Sequence, residues 1–218
     1  MITRKITRIG KAIVAIISVL IVLVAAINLI VRNTFPANID KKIAELKSYC
    51  ESNGYSTNVG ILVDYGIHSG RARFYVCNLQ SRSILINSIC AQGCGKGQLL
   101  GKNEFSNTPG SCCTSLGHYE IGRKRKMYSM NRMAYELDVL DDTNSNARQR
   151  NILLHPVRMP DISIYPFRLP SKPLHILGRA ILRPFSEGCI TIPFDKFNDC
   201  SKHIDKEDKP IVMWVYKC

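Results

Sequence analysis

The chain has 218 residues, 30 Lys and Arg against 17 Asp and Glu, and nine cysteines, which leaves room for one medium domain and an appendage. Its formal charge of +13 favours polyanionic surroundings. The basic residues are not interleaved with aromatics as in an RNA-binding motif, so nucleic acid is excluded as the partner.

Five of the basic residues, Arg4, Lys5, Arg8, Lys11 and Arg32, fall in residues 1–32, where no Asp or Glu occurs; residues 33–218 keep 25 against 17, a net +8. Between them, residues 12–31 form an uncharged run of 20 residues with only Ser18 and Asn28 polar. At about 1.5 Å per residue a helix of that length matches a hydrocarbon core of about 30 Å. The expectation is a basic cytoplasmic segment (1–11), a transmembrane anchor (12–31), a helical linker (32–58) and an extracytoplasmic domain (59–218), the cationic flank being cytoplasmic. A cleaved signal peptide is the alternative, although its apolar core is usually shorter and Thr34-Phe35-Pro36-Ala37 is a poor cleavage site.

Residues 38–53 place Ile39, Ile43, Leu46 and Cys50 at helical spacing, with Asn53-Gly54 as the stop. From Gly60 onward short apolar runs alternate with turns. They are Ile61–Val63, Arg73–Cys77, Ile84–Ile86, Tyr119–Ile121, Tyr135–Leu140, Ile152–Leu154, Cys189–Ile192 and Ile211–Tyr216. This texture predicts a mainly β sandwich or barrel with minor helices, one of them over 194–203 between the last two strands. Residues 90–115 and 157–184 read as loops. The second contains five of the ten prolines and is a lid candidate.

Ser186-Glu187-Gly188-Cys189 presents a thiol at the mouth of an apolar strand. A nucleophilic cysteine needs an imidazole or a positive potential. His155, which ends the run Ile152–Leu154, is the first candidate base. His175, fourteen residues before Cys189 in a proline-flanked loop, is the rival. The amides of Gly188 and Cys189 are candidate donors to an oxyanion. Ser106, Asn107, Ser111, Ser115 and Tyr119 are candidates for lining a cleft, although turn formation explains them equally well.

The remaining clusters are weaker. Cys90, Cys94, Cys112, Cys113 and His118 have no common zinc spacing, and Cys90–Gly97 does not complete a phosphate loop. No cofactor or metal is expected. With Cys189 left free, eight other cysteines remain for pairing in an exported domain.

Several segments in order resemble one family. Phe105-Ser106-Asn107-Thr108-Pro109-Gly110-Ser111 with Thr114-Ser115-Leu116-Gly117-His118-Tyr119, then Leu137-Asp138-Val139-Leu140, then Asn144–His155, then Ser186-Glu187-Gly188-Cys189 resemble the F-S-N-x-P-x-S…S-S-L-G-x-Y, L-x-G-L, N-x-x-A-x-x-R-x-I-V-x-H and S-x-G-C stretches of the murein L,D-transpeptidase catalytic domain family, a branch of the YkuD-type enzymes. The resemblance implies an extracytoplasmic (periplasmic) domain of that fold acting on peptidoglycan stem peptides. Cys189 would form a thioester with release of a terminal D-alanine, His155 would be the base, and an amine or water would resolve the acyl enzyme. Ser186 and Gly188 would serve substrate binding and the oxyanion, and Arg183 or Arg179 is close enough in sequence to substitute for the family's arginine where Phe185 stands. A catalytically weak wall-binding domain of the same fold is the alternative. Three positions depart from the family pattern: Gln92-Gly93 stands where His-Gly is usual, Phe185 where Arg precedes S-x-G-C, and Pro156 where glycine is more frequent.

Overall fold

The computed structural model describes residues 10–23, 26, 35–67, 71–93, 95, 104–127, 131–157 and 186–218. Residues 10–23 form a helix, α1, with its side chains exposed. No helix among the described residues is long and apolar enough to cross a membrane, and residues 24, 25 and 27–31 of the predicted anchor lie outside them.

Helix α2 (Ile39–Asn53) ends where Gly54 adopts a left-handed conformation (φ 78°), the usual way a helix stops on glycine. Its buried residues are Ile39, Ile43, Leu46 and Cys50, the four placed on one face by their spacing. They pack against Leu62, Tyr75, Cys77, Leu79 and Val212 on the sheet. Burying each Ile or Leu there contributes about 1.5–3 kcal/mol.

Eight strands follow: β1 (Val59–Asp64), β2 (Phe74–Asn78), β3 (Ser83–Ser88), β4 (Gly117–Met127), β5 (Arg132–Val139), β6 (Leu153–Val157), β7 (Ile190–Pro193) and β8 (Val212–Tyr216), with α3 (Phe194–Ile204) between the last two. They form one mixed sheet in the order β3-β2-β1-β8-β4-β5-β6-β7. Only β1–β8 and β6–β7 run parallel. The chain leaving β3 pairs with β7 through an Ala91–Thr191 bridge, so the two edges of the sheet meet. The expected sandwich or barrel is therefore a single sheet curled upon itself.

Strand β1 is buried on both faces: Ile61 and Val63 enter one cluster with Tyr135, Leu154, Ile190 and Phe197, while Leu62 enters the other beneath α2. Alternation of side chains across a strand makes this division. Strand β4 runs longer than its apolar residues suggest. Beyond Glu120 it leaves β8 and pairs with β5 alone, from Lys124 to Met127. Its charges are held there by partners: Arg125 Nε lies 2.8 Å from Glu136 Oε1, and Lys124 Nζ 2.6 Å from Asp205 Oδ2.

The eight described cysteines are free thiols, and Cys94 lies outside the described residues. Cys50, Cys77, Cys90 and Cys200 serve as small apolar core residues. Burial pushes the thiol of Cys50 up to about 11 and those of Cys77 and Cys200 up to about 12. Among the described residues no three His, Cys, Asp or Glu side chains converge as a metal site. His118 is engaged elsewhere. Its Nδ1 lies 2.9 Å from Asp141 Oδ2, and its ring stacks between Tyr49 at 4.1 Å and Trp214 at 5.0 Å, joining α2 to the sheet.

Candidate active site

Strands β6 and β7 bring together the two residues that the sequence places 34 positions apart. His155 is in register with Thr191, so alternation puts these two on one face of adjacent strands, and Cys189 lies one residue before β7, two positions from Thr191. Parallel neighbours require a crossover connection, which is why so much chain separates them. That connection, with the rival base His175, with Arg179 and Arg183 and with the expected lid, lies outside the described residues.

His155 is buried, and its Nδ1 lies 3.1 Å from the carbonyl oxygen of Pro156. A carbonyl can only accept, so Nδ1 carries the proton and Nε2 is the basic nitrogen. Burial holds the imidazole below its ordinary value of 6.5, opposed by the Pro156 carbonyl and assisted by the Arg132 guanidinium. The ring is therefore neutral at pH 7.

Cys189 is half-buried at the start of β7, with Sγ 3.7 Å from the Asn151 carbonyl. Burial raises its thiol above the ordinary value of 9.0. A hydrogen bond from the Leu153 backbone lowers it, Glu187 raises it, and Arg150 and Arg125 lower it. A neutral thiol beside a neutral imidazole can attack a carbonyl only as its proton leaves, so general-base transfer is the chemistry this arrangement suits.

The turn before Cys189 is built by contacts from far along the chain. Gly188 has φ +121°, and a Cβ there would lie 2.6 Å from Ile152 Cδ1 and 2.9 Å from the Cys113 carbonyl. Its own carbonyl accepts from Thr114 Oγ1 at 2.9 Å, and Thr114 Oγ1 accepts the Gly93 amide at 2.9 Å. Gly93 meets Gly188 face to face: a Cβ on it would be 2.4 Å from the Gly188 nitrogen. Ser186 is occupied within the turn, donating to the Cys189 carbonyl and accepting the Gly188 amide at 3.3 Å. In this state both Ser186 and the Gly188 amide hold the turn.

Arg150 ties the neighbouring loop to this turn. Nη1 donates to Ser106 O at 2.8 Å and Ser115 Oγ at 2.9 Å, and Nη2 donates to the Cys113 carbonyl. Thr114 and Arg150 carry much of the site's support, and nothing in their own chemistry singled them out. Their place inside the T-S-L-G and N-A-R-x-R stretches was the available signal. Asn107, Ser111, Ser115 and Tyr119 serve as pins: Asn107 Oδ1 accepts the Asn146 amide at 3.0 Å, Ser111 Oγ accepts the Cys113 amide at 3.3 Å, and Tyr119 donates to Ser115 O at 2.9 Å.

Gln92 lies beside the same turn, its carbonyl accepting the Ser186 amide at 3.4 Å. The residue is buried, and among the described residues neither side-chain amide atom has a hydrogen-bond partner. An unsatisfied buried amide costs about 1–3 kcal/mol. Gln92→Met, which keeps the length and removes the polar atoms, should therefore raise stability by about that amount. The check is the urea midpoint of the purified chain; an unchanged or lower midpoint would show that the amide is satisfied.

The chain as a whole matches a known class. The L,D-transpeptidase catalytic domain family matches residues 33–214, most of the chain, and the chain belongs to that family. Solved structures with similar folds include Bd1075 of Bdellovibrio bacteriovorus (17% identity, TM-score 0.43, covering 75% of this chain and 50% of that one). Others are the helical cell shape determining protein Pgp2 of Campylobacter jejuni (16%, 0.43, 78% and 55%) and an L,D-transpeptidase of Xylanimonas cellulosilytica (11%, 0.38, 78% and 68%). This chain spans about half the length of the first two. Among curated proteins there is no match.

Proposed function

We propose that the chain is a cysteine acyltransferase acting on peptidoglycan stem peptides, with Cys189 as nucleophile and His155 as general base. The observation that carries this reading is the parallel register that sets His155 level with Thr191, two residues from Cys189, with Nδ1 committed to the Pro156 carbonyl. As Sγ attacks the carbonyl at the L-centre of the diamino acid, its proton passes to His155 Nε2. The same proton is returned to the leaving amine of the terminal D-alanine, and a thioester remains. An amine from a neighbouring stem, or water, then attacks the thioester and regenerates the thiol. In this reading residues 12–31 anchor the chain in the membrane, with the domain on the extracytoplasmic side.

A second reading, a wall-binding domain with little turnover, is favoured by the raised thiol of Cys189 and by the Gly188 amide being engaged with Ser186. One experiment separates the two. The full chain in detergent, as wild type and Cys189→Ala, is incubated with a tetrapeptide muropeptide and separately with a carbapenem, followed by intact mass. A Cys189-dependent adduct with loss of the terminal D-alanine is expected. Silence from the wild type with both probes would overturn the enzyme in favour of the binding domain.

A further inference from the structure

Five arginines lie in β4, β5 and the turn before β6, and Arg150 among them is held by three acceptors of the neighbouring loop, Ser106 O, Ser115 Oγ and Cys113 O. Arg123 and Arg125 are paired with Glu136, and Arg148 reaches both Glu136 and Asp138. Arg125 also donates to Asn151 Oδ1 at 2.5 Å. Each of these three cations is paired with a carboxylate of β5, two carboxylates serving three arginines.

Arg132 is not. Among the described residues its partners are the Pro156 carbonyl, which accepts from Nη1 at 3.3 Å, and the ring of Phe194, whose centroid lies 4.9 Å from its guanidinium carbon. No carboxylate accompanies it. Glu136 is in register with Leu153, so alternation places Arg132, Ala134 and Glu136 on the face of β5 that continues the His155 face of β6. Glu136 and its arginines occupy one stretch of this face and Arg132 the other.

The Pro156 oxygen is shared. It accepts from His155 Nδ1 and from Arg132 Nη1, so imidazole and guanidinium are at most two hydrogen-bond lengths apart. The stacked Phe194 ring covers one face of the guanidinium and leaves its edges for a planar anion.

We propose that Arg132 is a specificity residue that binds the free carboxylate of the residue expelled from the acyl donor. The inference rests on the proposed reaction and names what that reaction selects. His155 must hand a proton to the leaving amine. In an amino acid the carboxylate is one carbon removed from that amine, and Arg132, whose Nη1 shares the Pro156 carbonyl with the Nδ1 edge of the ring that donates from Nε2, is the cation assigned to it. Donors ending one residue beyond the scissile bond satisfy Arg132, and donors lacking the terminal carboxylate leave the cation unpaired. The nearby charge also helps keep His155 neutral, consistent with a base that starts each cycle unprotonated.

The test uses the full chain and two probes: the stem tetrapeptide with a free terminal carboxylate and the same peptide as its terminal amide. Wild type should turn over the acid with kcat/KM about 10- to 100-fold above the amide, the range of a charge-assisted hydrogen bond. Arg132→Gln should lose that factor on the acid beyond any loss it shows on the amide, and bring the ratio near one. Arg132→Lys should recover part of the preference, since it restores the charge without the planar fork. The amide rate is the internal measure of folding. A preference for the acid retained by Arg132→Gln would overturn the assignment while leaving the proposed reaction intact. Equal losses on both peptides in both variants would overturn it in favour of a purely structural Arg132. Wild type inert on both peptides would overturn the reaction and Arg132's role with it.

Discussion

Replacing His155 with alanine should slow acyl transfer by about 10²–10⁴-fold, the usual contribution of a positioned general base, and Cys189→Ala should abolish it. The loss in His155→Ala should depend on pH and on the electrophile in a way that unfolding would not. Burial holds the Cys189 thiol above 9.0 and the His155 imidazole below 6.5, so at pH 7 the pair is uncharged and the histidine must remove the proton during attack. In the wild type kcat/KM should rise as pH increases through the value of His155, below 6.5, because the protonated ring cannot act as a base. Alkylation of Cys189 by iodoacetamide, followed by peptide mass mapping, should instead keep rising above pH 9 as free thiolate forms. In His155→Ala the alkylation at pH 10 should be close to wild type while stem-peptide turnover at pH 7 is lost. Equal loss of both would identify His155 as a packing residue.

Gly188→Ala should be strongly damaging, costing about 2–4 kcal/mol of stability from backbone strain and overpacking together. The backbone at φ +121° disfavours any side chain, and the new methyl would meet Ile152 Cδ1 at 2.6 Å, the Cys113 carbonyl at 2.9 Å and Arg150 Nη2 at 3.0 Å. The isoleucine tip can yield. The carbonyl and the guanidinium are bonded to each other and resist together, so the turn must move instead and carry Cys189 with it. A displacement of about 1 Å at a reacting atom costs on the order of 10² in rate, so the surviving folded protein should still be a poor acyltransferase. Gly110→Ala is the control. That residue also has positive φ, at +75°, but nothing lies within 4 Å of a Cβ there, and the expected cost is only about 1 kcal/mol. Urea midpoints of the two variants, with Cys189 adduct formation on the same preparations, check both parts.

The local elements were legible because their signals are local. The face of α2 follows from Ile39, Ile43, Leu46 and Cys50, and every apolar run from Ile61–Val63 to Ile211–Tyr216 lies in or overlaps a strand. Strand β4 was underestimated because Arg123–Lys126 are polar by composition and strand-forming only through Glu136, Asp205 and the pairing with β5. The expected pairing of cysteines is absent among the described residues, since Cys50, Cys77, Cys90 and Cys200 are spent as core side chains.

The sequence by itself determined the strand and helix periods, the thiol at the mouth of β7 and the imidazole on β6, because each depends on residues close together in the chain. It also ordered these features as a known family does. Only the tertiary structure decided that His155 stands level with Thr191, two residues from Cys189, that Thr114 and Arg150 hold the turn, that Ser186 is bound within it, and that the Gln92 amide finds no partner among the described residues. It also decided that, among the described residues, Arg132 lacks the carboxylate that Arg125 has. The reason is physical: a hydroxyl, amide or guanidinium has no role until its partner is set, and the partners of Thr114 and Arg150 lie 21 to 74 positions away, Gly93 and Gly188 being the two extremes for Thr114.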